Sequence, residues 1–518
     1  ELESGTLNAG TNRITFKSNS PTHSAILNDF GAGFTGTLTG NVRAERAYNN
    51  PNATFGRYRF SSPMNNLPTG QFGPSGTPGY LANTACDAQV SNQGTPYGNV
   101  MQYEEDAPGA AACGLQAWRN ITAATHPTLE NGRGYSVRRG AASTKLTVTG
   151  QPNTAPNYTR TGLANSGWSN STINPVVLQT SGWHIIGNPY LSYLSLGSNV
   201  DHDVLNPAFD AAVYVWINQG NNAGSYVDYE LGTDELIIPP FGTWAVYRSA
   251  PFNAAAGAAT YTIPGADRTA DPTGALAFQK TAHDHQLTIT ATNGTTQLID
   301  RTRVAFNSTA TAGIDRRDAR KPFGEYTRHT LYTQAGPERL ARNVHRSIEE
   351  TSTIPMGFYP GATGTYTLSF EGINTFDPTS YIYVEDKVTG TMHNVRSGNY
   401  TFTAEAGDAE DRFILHFTPA TQITANDGSC EVMGQISITQ PGSASWNYEV
   451  ADQNTTIATG TLNQNSPVTI TAPAGAYTIT LTDNNGYQVA KAVQISGQTP
   501  VTAQLTTDQT AYTTDEEV

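Results

Sequence analysis

The stretch "GWHIIGNPYLSYLSLG", Gly182 to Gly197, decides how the rest of the chain is read. A Trp-His pair opens an apolar run, Asn188-Pro189 interrupts it, and alternation then resumes. The ring of Pro189 fixes φ, removes an amide donor and pushes Asn188 towards an extended conformation. "WHII" is therefore read as a strand that stops at Asn188, with Trp183 and Tyr190 packing the turn. The competing reading, a ligand pocket lined by Asn188 and Tyr190, ranks below that turn.

The same layout occurs earlier. "GRYRFSSPMNN" (Gly56 to Asn66) matches "GWHIIGNPYLS" (Gly182 to Ser192): Gly, an apolar or aromatic strand, two small polar residues, then Pro. "VMQYEE" from Val100 answers to "AVYVWIN" from Ala212, and "NGRGYSVRRG" (Asn131 to Gly140) to "PPFGTWAVYRSA" (Pro239 to Ala250). "STKLTVTG", ending at Gly150, answers to "ATYTIPG", ending at Gly265. Four landmarks in one order predict a duplicated β unit over 51–273, with copies at about 51–155 and 175–273. The copies differ mainly by an insertion, Leu67 to Asn99, rich in Gly, Pro and Asn.

Outward from the duplication, short alternating runs cut by Asn/Gly turns fill residues 1–50, as strands of a sheet or the last coils of a β-solenoid would. Residues 274–419 read as a β-sandwich of jelly-roll or similar build. It opens with two alternating strands joined around Asn293-Gly294, a dipeptide that accepts positive φ. Its charged middle, "DRRDARKPFGEYTRHTLYTQAGPERLARNVHRSIEE" from Asp315, is expected to hold one short helix. In 420–505, strands recur every 8 to 12 residues between Pro-Gly, Ala-Gly and Asn-Asn-Gly turns, which predicts an immunoglobulin-like domain. Residues 506–518 read as the lead strand of a further domain. The fold class expected is all-β: tandem β-sandwich or jelly-roll-like units with a C-terminal immunoglobulin-like domain.

Composition agrees. Among 518 residues, only 14% are charged, Gly (49) and Pro (29) are plentiful, and Tyr (25) exceeds Phe (18). A net charge of −14 gives no favourable field for a phosphate backbone, so nucleic acid is not expected as a partner. No apolar run approaches the ~18 residues of a spanning helix, so no membrane insertion is expected. The opening "ELESGTLNAG" has neither an initiator Met nor a signal-peptide pattern and is read as a processed product or excised piece. Cys86 and Cys113 flank a Gly/Pro-rich stretch, and a disulfide between them would contribute about 3 kcal/mol in the chain-entropy picture; two free surface thiols are the alternative. Cys430, with no His near it in sequence, reads as buried on a first strand.

Catalytic and metal-binding patterns are weak. His283 and His285 sit two apart on an expected strand, so both imidazoles face one side, but no third ligand is identifiable. Asn199, Asp201 and Asp203 in "NVDHDVLNP" suit calcium's oxygen shell without the dense acidic loop pattern. Glu104 with Glu105, and the run "DAEDR" from Asp408, could supply two carboxylates for glycoside hydrolysis, though sequence does not set their separation. Trp183, Trp216 and Trp244 would bind sugars if exposed on one sheet face; core packing is the preferred reading. No catalytic, cofactor-binding or metal residue is assigned, no cofactor is expected, and the chain is not read as an enzyme.

"GWHIIGNPY", "AAVYVWIN", "IIPPFGTWAVYR" and "DRFILHFTP" resemble a module of large type IX-secreted surface proteins of the Bacteroidota, including gliding-motility adhesin-type proteins. The likeness extends to "GNVRAERAY" (Gly40 to Tyr48) and "DRTRVAFNSTATAGIDRRDARK" (Asp300 to Lys321), and so spans about residues 1 to 419. "VTAQLTTDQTAYTTDEEV" is similar to the start of a PKD-type repeat. The resemblance implies passage through the type IX translocon, a location outside the cell or on its surface, and a stalk, adhesive or filament role. The C-terminal sorting domain of that group would lie beyond Val518. The expected function is a non-catalytic structural and adhesive region, with self-association into a filament and contact with surface glycans as the partner expectations. The alternative is a carbohydrate-binding accessory region of a secreted enzyme.

Overall fold

The computed structural model describes residues between 6 and 497; its main gaps are 27–36, 49–54, 73–99, 105–117, 171–177, 197–207, 249–258, 270–284 and 498–518, with shorter breaks elsewhere. The protein is all-β, and among the described residues no α-helix occurs. Chain contacts divide it into two compact units: Glu1–Thr375, Glu385–Thr391 and Gly398–Leu415 form one, and Phe376–Val384, Met392–Ser397 and His416–Val518 the other.

The first unit opens with parallel pairs. Thr6–Asn8 lies beside Thr37–Thr39, and Thr15–Phe16 beside β1 (Val42–Ala47). Two repeats follow. The first comprises β1, β2 (Phe55–Ser61), β3 (Met64–Asn65), β4 (Leu67–Pro68), β5 (Val100–Tyr103), β6 (Trp118–Asn120), β7 (Thr128–Leu129), β8 (Gly134–Gly140) and β9 (Lys145–Pro152). The second comprises β10 (Asn157–Leu163), β11 (Trp183–Gly187), β12 (Tyr193–Leu196), β13 (Phe209–Gly220), β14 (Ala223–Glu230), β15 (Leu236–Ile238), β16 (Thr243–Arg248), β17 (Ala259–Pro264) and β18 (Arg268–Thr269).

Their topologies coincide. One face of repeat 1 is the sheet β6-β5-β8-β2, and the matching face of repeat 2 is β14-β13-β16-β11. The opposite face is β1-β9-β3 with the pair β4-β7 in repeat 1, and β10-β17 with β18-β12-β15 in repeat 2. Each repeat thus folds as a jelly roll of two facing sheets. In each, the first strand, β1 or β10, precedes the landmark glycine and pairs antiparallel with a strand near the repeat's end, β9 or β17. Alternate side chains from both faces close separate cores, around Phe60, Tyr135, Leu146 and Val148 in repeat 1 and Ile186, Val213, Trp244 and Ile263 in repeat 2.

One eleven-stranded sheet follows. Its strands are β19 (His285–Asn293), β20 (Ile299–Phe306), β21 (Ala319–Arg320), β22 (Thr330–Ala335), β23 (Glu338–His345), β24 (Thr353–Tyr359), β25 (Gly364–Glu371), β26 (Ile382–Asp386), β27 (Thr391–Asn394), β28 (Tyr400–Ala404) and β29 (Phe413–Phe417). Its order is β27-β26-β29-β24-β22-β23-β20-β19-β25-β28, with β21 on β23. The sheet curls so far that side chains bridge distant positions: Tyr400 of β28 donates to Asp386 of β26 at 2.8 Å, and Arg412 holds both Asp386, at 2.7 Å, and the Thr403 carbonyl, at 2.6 Å. Phe358, Tyr366, Phe402 and Phe413 fill the interior edge to face.

Among the described residues of 315–350 the expected helix does not occur. Thr330–Ala335 and Glu338–His345 are antiparallel strands turned at Gly336, whose φ of 57° suits glycine. The Glu/Arg/Leu/Ala content of "PERLARNVH" favours helix locally, but Leu340 to Val344 are all buried with the strand covered on both faces, and tertiary burial overrides propensity.

In the second unit, β30 (Gln422–Asn426), β31 (Gly434–Thr439) and β34 (Val468–Ala472) form one sheet; β33 (Thr456–Leu462), β32 (Trp446–Ala451), β35 (Gly475–Asp483) and β36 (Gln488–Ile495) form the other, in that order. Trp446 is fully buried at the start of its strand, and Tyr477, at the start of β35, donates back to the Pro473 carbonyl at 2.8 Å. That tyrosine corner and buried tryptophan are marks of the immunoglobulin-like sandwich.

Candidate functional site

The landmark turns of the two repeats meet each other. β2 ends in Ser61-Ser62-Pro63 and β11 in Gly187-Asn188-Pro189. The Ser61 amide donates to the Phe241 carbonyl of repeat 2 at 2.9 Å, and the Gly187 amide to the Gly132 carbonyl of repeat 1 at 2.8 Å. These are reciprocal bonds: Ser61 corresponds to Gly187, and Gly132 to Phe241, so the repeats meet as two halves of a pseudo-two-fold interface. Gly132 and Phe241 also share positive φ, at 68° and 64°. Phe241 tolerates it while its ring is fully buried.

Asn188 is the hub of this seam. Its amide nitrogen donates to the carbonyls of Ser192 (2.8 Å), Pro239 (3.1 Å) and Ile238 (3.3 Å), and its Oδ1 accepts from the Tyr190 amide at 2.9 Å. Both residues are buried, so the Asn-Pro step is a structural turn and not a pocket wall. Ser61 Oγ bonds the Asn188 carbonyl at 2.9 Å, and Asn131 Nδ2 bonds those of Ser62 (2.9 Å) and Pro189 (3.2 Å). Gly187 has to be glycine, because a Cβ there would lie 2.2 Å from Ser61 Cβ.

A second seam joins repeat 2 to the eleven-stranded sheet, and it is ionic. Asp228 of β14, 4% exposed, takes Arg303 of β20 at 3.2 Å and Arg342 of β23 at 3.0 Å. The Arg342 side chain is fully enclosed; its Nε also donates to the Arg317 carbonyl at 2.7 Å and lies 3.9 Å from Glu230. Arg320 grips both oxygens of Asp210 at 2.7 Å, bonds Glu338 at 3.1 Å, and lies over the Tyr247 ring at 4.8 Å. Burial and these carboxylates act on its guanidinium in opposite directions, and the net effect is a pKa raised above the ordinary value. Tyr214, enclosed among the same groups, has its phenol raised well above the usual range, first by burial and then by Asp210 and Asp228.

The supports of this seam come from the two charged motifs. Lys321 binds Asp300 at 2.8 Å, and Asp300 also accepts the Leu331 amide at 2.7 Å. Asp318 accepts the amides of Val344 (2.8 Å) and Asp315 (2.7 Å); burial nonetheless pushes its carboxyl up to about 6. "DRTRVAF" and "DRRDARK" are therefore cement, a role the sequence alone did not reveal.

The aromatic residues are committed to packing as well. Trp183 and Trp244 are buried, and Trp244 Nε1 donates to Tyr261 at 3.2 Å. Trp216 is half-buried: the Arg59 guanidinium lies 4.3 Å from its ring, Gly224 presses against its edge, and Tyr226 meets it edge-on at 5.1 Å. Arg59 is itself held between Trp216 and Trp118, 4.4 Å away. Trp216 and Trp244 thus form no open sugar platform. Beside Trp216, a cleft of about 30 Å³ is lined by Tyr226, Asp300, Arg328, His329 and Thr330. It has room for about one water molecule, against the ~300–1,000 Å³ of a small-molecule site.

The remaining candidates scatter. His285 bonds the Thr375 carbonyl; His283, Glu105, Asn199, Asp201, Asp203 and all three cysteines lie outside the described residues. Glu104 accepts from Gln102, Asp408 caps the Glu405 amide at 2.8 Å, Glu410 accepts from Tyr332 at 2.6 Å, and Asp411 pairs with Lys387 at 2.7 Å. Among the described residues, no three His, Cys, Asp or Glu side chains gather as a metal site.

A domain of unknown function, DUF8693, matches residues 275–417, the span of the eleven-stranded sheet. No curated protein matches the chain. Among solved structures, dimeric latent PorU from Porphyromonas gingivalis is similar at 10% identity and a TM-score of 0.12, covering 69% of this chain and 36% of its own. Elastase-activated alpha-2-macroglobulin from Escherichia coli is similar at 10% identity and 0.12, covering 71% and 35%. The chain therefore spans little more than a third of either.

Proposed function

We propose that this chain is a non-catalytic structural and adhesive region of a large secreted surface protein, exported by the type IX route and displayed outside the cell. The observation that carries the reading is the pair of seams, main-chain and ionic, that lock consecutive β units of the first unit together. Such joints hold a surface in a fixed orientation and resist shear between modules, as a stalk or spacer requires. The sequence likeness of "GWHIIGNPY" and "DRTRVAF" to type IX-secreted proteins supports the export and surface parts.

Labelling intact source cells with antibody to this chain tests it, with and without a working type IX translocon. Surface signal lost on disabling export, together with reduced attachment or motility when the chain is deleted, is the expected result. Retention inside the cell, or turnover of glycan substrates by the purified chain, would overturn it.

A further inference from the structure

We propose that the open side of the immunoglobulin-like sandwich is a self-association surface, on which β33 of one copy adds antiparallel to β33 of a second. The two sides of this sandwich differ. On one, β36 runs alongside β30 and β31, and its Lys491 is held by Asp377 at 3.0 Å. On the other, β33 and β34 end their sheets; among the described residues each pairs on one edge only, β33 with β32 and β34 with β31.

Edge strands of soluble proteins are usually guarded by charge, proline or a bulge. From Gln453 to Thr482, the chain carries no Asp, Glu, Lys, Arg or His. β33 itself, "TIATGTL", has no proline and is rich in β-branched residues, with Ile457 39% exposed. A register shift opposite Val450 and Ala451 sets Ile457 aside at the hairpin end, and Ala458 to Leu462 then pair regularly. Thr456 and Thr461 spend their hydroxyls on Glu449 and Asn447 of β32, so the outward main-chain groups are what β33 has left to offer.

A second copy is the occupant that fits. A two-fold axis through Gly460 sets Ala458 against Leu462 and Thr459 against Thr461, pairs of small or apolar side chains with no like charges opposed. The two four-stranded sheets then become one of eight. Because each chain carries −14 overall, added salt strengthens the pairing. This deepens the filament part of the proposed function and rests on that part alone; sedimentation reads it, whereas cell labelling reads export.

The test is sedimentation velocity of the whole chain beside Thr459→Lys, an exposed substitution. A salt-strengthened dimer that Thr459→Lys returns to monomer is expected. In addition, Thr459→Cys mixed with Thr461→Cys should give a disulfide-linked pair beyond the background of the parent chain. Thr478→Cys, exposed on inner strand β35, should give none. A chain that stays monomeric at about 100 µM, where even weak pairing is populated, overturns the proposal. So does association indifferent to Thr459→Lys or abolished instead by Thr471→Lys on β34, and so does capture of extended peptides without self-pairing.

Discussion

Two seams in the first unit hold neighbours by opposite means. Between the repeats the hydrogen bonds end on main-chain carbonyls and are made by neutral groups of turns whose residues are adjacent in sequence, Ser61 to Pro63, Asn131 to Arg133, Gly187 to Tyr190 and Phe241 to Gly242, while Arg59 stacks on Trp216 beside them. Between repeat 2 and the eleven-stranded sheet the bonds are ionic, and partners stand 75 to 114 positions apart, as in Arg303–Asp228 and Arg342–Asp228. The first depends on shape and fails when a group is added. The second depends on balance and fails when a charge is left over.

The largest break is expected at the ionic seam. Arg342→Met takes from Asp228 and Glu230 a cation that both face, in a site where Arg342 is fully enclosed. Removing one member of a buried pair costs roughly 3–5 kcal/mol, read as a lowered urea midpoint with unchanged m. An effect under ~1 kcal/mol, the ordinary worth of an exposed pair, would mean that water reaches the seam.

The neutral seam is probed by Gly187→Ala. The new methyl would lie 2.2 Å from Ser61 Cβ and 2.9 Å from the Arg133 carbonyl, and main chain does not move aside cheaply. Overpacking of this kind costs about 1–3 kcal/mol. Gly162→Ala provides the contrast: a Cβ there meets nothing within 4 Å, although its φ of 74° still carries a backbone cost. Thermal unfolding of the two variants separates collision from strain.

These differences explain what was legible. The strands and the repeat could be read because alternation, Pro63 against Pro189, and a glycine turn leading into an aromatic-initiated strand are local signals that recur in order. The first strand of each repeat was harder, because β1 and β10 pair with strands about a hundred residues later. The charged motifs gave no sign of burial, since nothing near Arg320 in sequence announces Asp210. The short helix expected within 315–350 is not found at "PERLARNVH" for the same reason: neighbours across the sheet, not local propensities, decide the backbone there.

A pH scan sharpens the comparison within repeat 2. His184 of β11 is buried, its Nε2 bonded to the Ala164 carbonyl at 2.7 Å, and burial lowers its pKa to about 3. The folded state thus disfavours the imidazolium: stability is full above the unfolded value near 6.5 and falls as pH drops from there towards 3. At pH 5 this single group takes away about 2 kcal/mol. Asp318 acts in the opposite sense between about 6 and 4, because its raised carboxyl gains its proton more readily in the folded state. In His184→Gln the acid slope should lose one proton's worth, so that the variant, weaker at pH 7, converges on the parent by pH 5. Parallel curves would show that His184 is already solvated.

The smallest change in stability is expected from the most drastic substitution. Replacing Asp228→Leu, Glu230→Gln, Arg303→Met and Arg342→Met together removes the charges of that cluster at once, and with them the desolvation that their attraction had to offset. Well-filled apolar replacements for buried ion pairs are commonly neutral, so the urea midpoint should stay within ~1 kcal/mol of the parent, far above Arg342→Met alone. What should change is definition. Salt links between Asp228, Arg303 and Arg342 accept one register of β14 against β20 and β23, whereas methionine and leucine accept several. Slower amide exchange at Arg303 and Arg342 in the parent than in the variant, at equal global stability, is the expected signature. If both measures fall together, the ions stabilise this seam outright.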